Sequence, residues 1–107
     1  MSKESIPSSE VNKIVLACEA GMGSSLMVKN GLIKKLTKAG LDINVEHSPV
    51  NQIPADADVV VAHQGLAGRA REVAENSVVV TFNIFMNDPA INKLVYDLSQ
   101  GNDIHSA

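Results

Sequence analysis

Cys18 and the residues directly after it form the segment with the clearest chemical potential. The segment runs from Cys18 to Ser25, reads CEAGMGSS and holds the only cysteine among 107 residues. Gly21 and Gly23 permit backbone conformations closed to other residues, so successive N–H groups can turn toward one anion. A thiolate beside such N–H groups is a nucleophile suited to a bound phosphate or another tetrahedral oxyanion.

A helix is predicted to follow this segment and would strengthen the anion site. Helix N-termini carry unpaired N–H groups and a partial positive charge, and the hydroxyls of Ser24 and Ser25 can cap them. Glu19 works the other way, because a nearby carboxylate disfavours both a thiolate and a phosphate dianion. A lone cysteine at a strand end is often a small core residue, but the glycines and serines after Cys18 favour a reactive thiol.

Four apolar runs predict the strands that must position this segment, at residues 13–18, 42–47, 58–63 and 77–82. Three runs are continuous, as in strands buried on both faces, whereas the second alternates with polar residues, as at a sheet edge. Helices are predicted at residues 24–39, 65–75 and 88–99, with Asp88 as N-cap and Pro89 as first residue of the last one.

The three predicted helices are amphipathic. Lys29 is one charged residue inside the apolar arc of the first helix, and Gly40 occupies the position of a C-terminal glycine. The residues of the apolar faces are Leu26, Val28, Leu32, Ile33 and Leu36 in the first helix, Leu66, Ala67, Ala70, Val73 and Ala74 in the second, and Ile91, Leu94, Val95 and Leu98 in the third.

Strands that alternate with helices predict a single three-layer α/β domain. We expect a Rossmann-like, four-stranded parallel sheet of order 2-1-3-4, flanked by helices, over residues 12–99, with flexible tails at 1–11 and 100–107. In such sheets ligands bind beyond the C-terminal strand ends, at the switch in winding direction, where Cys18 stands. His63 ends the neighbouring third strand and is an accessory candidate, either as a donor to phosphate or as a partner contact.

The composition excludes several classes of function. A net charge of −3 and 3% aromatic residues argue against nucleic-acid binding. One cysteine can form neither an internal disulfide nor a Cys-pair zinc site, and we expect no metal and no cofactor. The polar start of the chain and its short apolar runs predict no secretory signal and no membrane insertion, which favours a cytoplasmic protein.

The stretch IVLACEAGMGSSLMVKNGLIKKL resembles the enzyme IIB components of the bacterial sugar phosphotransferase system (PTS). The likeness is strongest to the mannitol-type group, whose loop reads C-D-A-G-M-G-S-S, with Glu19 here in place of the Asp. It continues through ADADVVVAHQGLAGRAR and ends near NDPAINKLVYDL, so it covers about residues 12–98. The segment TFNIFMNDP leans toward ascorbate-type relatives, and lactose-type relatives stay open as well.

This resemblance implies a phosphotransferase that carries a phosphoryl group. Cys18 would accept it from a phosphohistidine of enzyme IIA and hold it as phosphocysteine. The group would then pass to a sugar, mannitol or a related hexitol, bound by the membrane component enzyme IIC during uptake. By position, the resemblance makes a phosphatase-like P-loop of Glu19, Ala20, Gly21, Met22, Gly23, Ser24 and Ser25.

Alternative functions remain open at this point. Low-molecular-weight tyrosine phosphatases share the architecture and a C-x5-R-S loop, but here Ser24 stands at the arginine position. The missing guanidinium clamp argues against efficient hydrolysis, although Asp88-Pro89 mimics the acid loop of those enzymes. A thiol oxidoreductase would need a resolving cysteine, which this chain lacks. A non-enzymatic regulatory module is a further alternative.

Overall fold

The computed structural model describes residues 4–18, 24–83 and 88–106, except for the side chains of Ser24 and Ser25. Within these residues the strands are β1 Ser5–Ile6, β2 Lys13–Cys18, β3 Asn44–Pro49, β4 Val59–His63, β5 Val78–Phe82 and β6 Ile104–His105. The helices are α1 Ser24–Lys38, α2 Ala67–Val73 and α3 Pro89–Gln100. Short 3-10 turns occupy Ser8–Glu10, Val50–Gln52 and Gln64–Leu66.

The central sheet has four parallel strands in the order β3-β2-β4-β5. This confirms the predicted order 2-1-3-4. The second predicted strand is displaced, because β3 begins at Asn44 and continues to Pro49, two residues beyond the alternating pattern. Its limits follow from pairing with β2, whose ladder runs from Lys13 opposite Asn44 to Cys18 opposite Pro49. The hydrophobic pattern of one strand carries no information about the strand it pairs with, so it could not predict these limits.

The two faces of the sheet are covered by different helices, which gives the three predicted layers. On one face α1 and α3 pack through Val28, Leu32, Leu36, Ile91, Leu94 and Leu98 against Ile14, Leu16, Val59, Val61, Val78, Val80 and Phe82. On the other face Ala70 of α2 and Ala74, the residue directly after α2, pack against Val15, Ala17, Val60, Ala62 and Val79. Residues two apart along a strand therefore belong to the same layer.

Helix α1 buries a narrower stripe than its apolar arc predicts. Val28, Leu32 and Leu36 face the sheet, whereas Leu26 is 45% exposed and Ile33 38% exposed. These two side chains lie about 100° or more around the helix from the centre of the buried stripe. The prediction that they face the core is wrong because an outer helix touches its sheet along one line only. Val73 of α2 is likewise exposed.

The two segments expected to be flexible tails pair with one another. β1 and β6 form an antiparallel pair with Ser5 opposite His105 and Ile6 opposite Ile104. Ile6 and Ile104 are 3% and 2% exposed and belong to the core between the sheet and the α1 and α3 helices. Ser8 Oγ also donates to the Asn102 carbonyl. Two-residue strands are too short for a periodic pattern, so sequence reasoning missed this pair.

Lys13, at the start of β2, forms ion pairs with two neighbouring segments. Its Nζ lies 3.2 Å from Asp56 Oδ1 and 3.3 Å from Glu46 Oε2. The hydrogen bond to Asp56 raises the pKa of Lys13 above its ordinary value of 10.5, with Glu46 adding to the effect and partial burial opposing it. The pairs tie β2 to β3 and to the segment before β4.

Replacing Ile6 by Ala tests the pairing of the end segments. Because Ile6 is buried, we expect Ile6→Ala to lower the free energy of unfolding by about 2–5 kcal/mol, measured by urea denaturation. The exposed Ser9→Ala is the matched control and should change stability by less than about 0.5 kcal/mol. Equal stability of Ile6→Ala and the parent would show that residues 4–10 do not pack on the core.

A Lys13→Gln variant tests the ion pairs through their pH dependence. Since the pKa of Lys13 is raised on folding, its stabilising effect is complete below the ordinary value of 10.5 and is lost as pH rises through the folded-state pKa. The difference in urea midpoint between parent and variant should therefore shrink as the pH rises above 10.5. The exposed Lys38→Gln is the control, and a gap that widens with pH would contradict the assignment.

Candidate functional site

Cys18 is the last residue of β2 and lies at the C-terminal edge of the sheet, between β3 and β4. Its side chain is partly buried, and its Sγ donates a hydrogen bond to the Ser48 carbonyl over 3.5 Å. The helix α1 begins six residues later, at Ser24. This is the switch point of the predicted sheet, and the thiol is held there as a donor.

Of the predicted phosphate loop, residues 19–25, the structure describes only the backbone of Ser24 and Ser25. Five of its residues, Glu19, Ala20, Gly21, Met22 and Gly23, lie outside the described residues. Ser24 and Ser25 form the beginning of α1, which confirms the predicted start of that helix. The N-terminus of α1 thus follows Cys18 closely along the chain, and the N–H groups of a first helical turn have no partners within the helix.

His63 lies on the strand next to Cys18. It comes one residue after Ala62, whose partner on β2 is Ala17, so the same register places His63 beside Cys18. On its other side His63 pairs with Phe82, and the two rings meet edge to face with centroids 5.5 Å apart. His63 Nδ1 accepts a hydrogen bond from the Gly65 N–H over 3.2 Å.

Lys29 and His47 form a contact that sequence reasoning missed. Lys29 Nζ lies 3.2 Å from His47 Nδ1, which joins α1 to β3. An ammonium can only donate, so Nδ1 of His47 is the acceptor. His47 is paired with Leu16, two residues before Cys18 in β2. The ammonium of Lys29 therefore lies on the α1 side of the sheet, which is also the face of Cys18. The signal in the sequence was a lysine inside an apolar helical arc.

On the opposite face, Arg69 contacts the turn after β3. Its Nε donates to Asn51 Oδ1 over 2.8 Å, and this bond connects α2 with the segment Val50–Gln52. Arg69 and Arg71 are both exposed, as expected for the surface of a helix. This hydrogen bond holds the turn after β3 against the start of α2. Ser48, whose carbonyl accepts from Cys18, lies near the end of β3, shortly before that turn.

Asp88 acts as the N-cap of α3, as predicted. Its Oδ1 accepts from the Ala90 N–H over 2.7 Å and its Oδ2 accepts from the Asn83 N–H over 2.8 Å. The side chain is 3% exposed, and Pro89 is the first helical residue. A carboxylate that accepts backbone donors on both oxygens is suited to hold the β5 exit to α3, and this geometry does not favour a general acid like that of the phosphatase loop.

The part of the chain that the structure describes contains neither a metal-ligand cluster nor a helix suited to cross a membrane. Within residues 4–18, 24–83 and 88–106, no three His, Cys, Asp or Glu side chains are grouped so that they could hold a metal ion. None of the helices in those ranges has both the length and the apolar character needed to cross a membrane.

Comparison with known proteins identifies the family. A family model described as "PTS system, Lactose/Cellobiose specific IIB subunit" matches residues 13–96. The chain belongs to this IIB family of the phosphotransferase system. The resemblance to PTS enzyme IIB components is thereby confirmed.

Relatives of this IIB chain carry mannitol-specific names. The mannitol-specific EIICB component of Geobacillus stearothermophilus is 42% identical over 94 residues, which are 88% of this chain and 20% of the relative. The mannitol-specific EIICBA component of Vibrio cholerae is 40% identical over 93 residues, 87% of this chain and 14% of the relative. The chain thus spans about a fifth or less of these relatives' length.

A solved IIB structure shares the fold. The lactose-specific IIB component domain from Streptococcus pneumoniae superposes with a TM-score of 0.51, covering 86% of this chain and 91% of that one. At 13% identity this likeness shows the fold alone. It agrees with the four-stranded parallel sheet flanked by helices.

Asp88→Ala tests the capping role of that carboxylate in the IIB domain. The change leaves two backbone N–H groups without their acceptor, so we expect the free energy of unfolding to fall by about 1–3 kcal/mol. Asp88→Asn keeps one acceptor oxygen and should fall between parent and Ala variant. The exposed Asp42→Ala is the control in the same urea titrations. If Asp42→Ala lowered the free energy of unfolding as much as Asp88→Ala does, the capping role would be contradicted.

Proposed function

We propose that this chain is the phosphoryl-carrying IIB unit of a sugar phosphotransferase system and that Cys18 is its phosphorylated residue. The observation that carries the proposal is the position of Cys18 in a IIB-family fold. The chain's one thiol is partly accessible at the C-terminal edge of the central strand, directly before the N-terminus of α1. Sites in parallel α/β sheets occur at this edge.

The proposed first step transfers the phosphoryl group from a phosphohistidine of enzyme IIA to Cys18. A bond forms between Sγ and phosphorus, while the bond from phosphorus to the donor imidazole nitrogen breaks. The electron pair of that bond stays on the nitrogen, and the thiol proton ends there. The products are phosphocysteine and a neutral histidine, so atoms and charge balance.

The proposed second step passes the phosphoryl group to a sugar. The Sγ–P bond breaks, a bond forms between a sugar hydroxyl oxygen and phosphorus, and the hydroxyl proton restores the thiol. Cys18 therefore returns to its starting state after each turnover. The proposed acceptor is a sugar bound by the membrane component enzyme IIC.

The hydrogen bond from Cys18 to Ser48 belongs to the resting state in this proposal. A thiol can donate to the Ser48 carbonyl, as the 3.5 Å contact indicates, but a thiolate and a carbonyl oxygen repel each other. Sγ must therefore leave Ser48 when it attacks phosphorus. The proposed loop, residues 19–25, would then hold the phosphoryl oxygens with its N–H groups, together with the first turn of α1.

The proposed partners and sugar draw on the names of the relatives. The names EIICB and EIICBA join the letter B to the letters C and A, in agreement with enzyme IIC and enzyme IIA as the partners of this chain. Both relatives are mannitol-specific by name, which supports mannitol or a related hexitol over an ascorbate-type sugar. Ser24 at the phosphatase arginine position and the capping contacts of Asp88 support transfer over hydrolysis.

Cys18→Ser tests the proposed carrier directly. The chain is incubated with phosphoenolpyruvate, the general phosphotransferase proteins and a mannitol-type enzyme IIA, and its intact mass is measured. We expect the parent to gain the mass of one phosphoryl group and Cys18→Ser to gain none, because a hydroxyl is a far weaker nucleophile than a thiolate. A gain of the phosphoryl mass by Cys18→Ser would show that another residue carries the group and would contradict the proposal.

Two controls accompany this experiment. Circular dichroism of Cys18→Ser should match the parent, since the change is small and lies at a strand end. The parent is also mixed with p-nitrophenyl phosphate alone. Rapid release of nitrophenol would support a phosphatase instead of a carrier.

A further inference from the structure

Cys18, His63 and Phe82 form one row across the C-terminal edge of the sheet. Phe82 belongs to the core layer of α1 and α3, and its pairing and ring contact with His63 place that histidine in the same layer. Leu16 is in this layer too, so Cys18, two residues further along β2, points to the same face. Neighbouring parallel strands are about 4.8 Å apart, which makes Cys18 and His63 adjacent side chains.

The ring of His63 is held in one tautomer. The Gly65 N–H donates to Nδ1 over 3.2 Å, and a ring nitrogen that accepts a hydrogen bond carries no proton. In the neutral ring the proton is therefore on Nε2. A backbone amide cannot exchange the roles of donor and acceptor, so this assignment follows from the contact itself.

The orientation of the ring is set as well. His63 is the N-cap of the 3-10 turn Gln64–Leu66, and Phe82 packs against it at an interplanar angle of 79°. A Cβ atom on Gly65 would lie 3.4 Å from Nδ1, so the glycine allows the turn to approach the ring closely. A donor fixed before the reaction stabilises developing charge without a cost of reorganisation.

We propose that His63 is a phosphate-binding residue of this site and that its Nε2–H donates to an oxygen of the phosphoryl group on Cys18. The inference rests on the proposed carrier function and adds to it a side-chain donor outside the loop. A neutral imidazole gives one hydrogen bond where a phosphatase arginine would give a bidentate, charged pair. The site then holds phosphocysteine without the strong clamp that accompanies hydrolysis.

Two substitutions separate the donor from the cap. The Asn side chain of His63→Asn reaches the Nδ1 position, so its carbonyl can accept from Gly65 but its amide cannot reach the phosphoryl group. The longer Gln side chain of His63→Gln places an N–H near the Nε2 position. We expect His63→Asn to slow phosphorylation of Cys18 by about 10- to 100-fold, and His63→Gln to be faster than His63→Asn by at least about threefold.

Spectroscopy of the parent chain supplies an independent readout. In 15N spectra of the unphosphorylated chain, the neutral form of His63 should show a protonated Nε2 and an unprotonated Nδ1. On phosphorylation with enzyme IIA, the 31P resonance of phosphocysteine should differ between the parent and His63→Asn. An Nδ1–H tautomer in the parent would overturn the inference before any transfer is measured.

The outcomes distinguish this inference from the carrier function. If the parent is labelled on Cys18 and both His63 variants react at the parent rate, the carrier stands and the His63 donor is wrong. If both variants are slowed equally, an N–H near the Nε2 position does not restore the rate, and the donor is again wrong. If only His63→Gln is slowed, the ring acts through its contact with Gly65 in the 3-10 turn, and the donor is wrong as well. If the parent is never labelled, the proposed carrier function fails, and the His63 inference fails with it.

Discussion

The register of β2 is the constraint on which the remaining structure depends. β2 is paired along its length with β3 and over four residues with β4, and Ile14, Val15 and Leu16 are fully buried. Alternate residues face different helices, so a slip of one residue would exchange the two core layers and turn Cys18 toward α2. The cost of burying the wrong side chains on both faces holds Cys18 in place at the C-terminal edge of the sheet, on the face that α1 and α3 cover.

This constraint connects the core to the chemistry at the sheet edge. The same alternation that sends Leu16 into the layer of α1 and α3 also sends Cys18, His63 and Phe82 to that layer. The aliphatic core, which includes the buried Phe82 ring, therefore orients Cys18 and His63 at its end, although these two residues are only partly buried. Two further contacts act at the same edge. Asp88 holds the segment between β5 and α3, and Asn51 holds the turn after β3 against α2.

Sequence reasoning works best where a signal is local and long enough to repeat. The continuous run of β2, the Asp88-Pro89 start of α3 and the glycine after α1 each carry their own local cause, and each is confirmed. The end of β3 and the pairing of β1 with β6 depend on partners far along the chain, so no local pattern contains them. The same distinction holds for the candidate site. The position of Cys18 could be predicted from the strand order, whereas the tautomer of His63 depends on the contact with Gly65, which the sequence does not show.

The paired end segments also determine where other polypeptide could be attached. β1 precedes the start of β2 and β6 follows the end of α3, and the Ser106 N–H donates to the Glu4 carbonyl, so residues 4 and 106 lie side by side. The start of β2 is the end of the strand away from Cys18. A tether joined at either segment would therefore depart from the far side of the sheet and leave the approach to the thiol open for a docking protein.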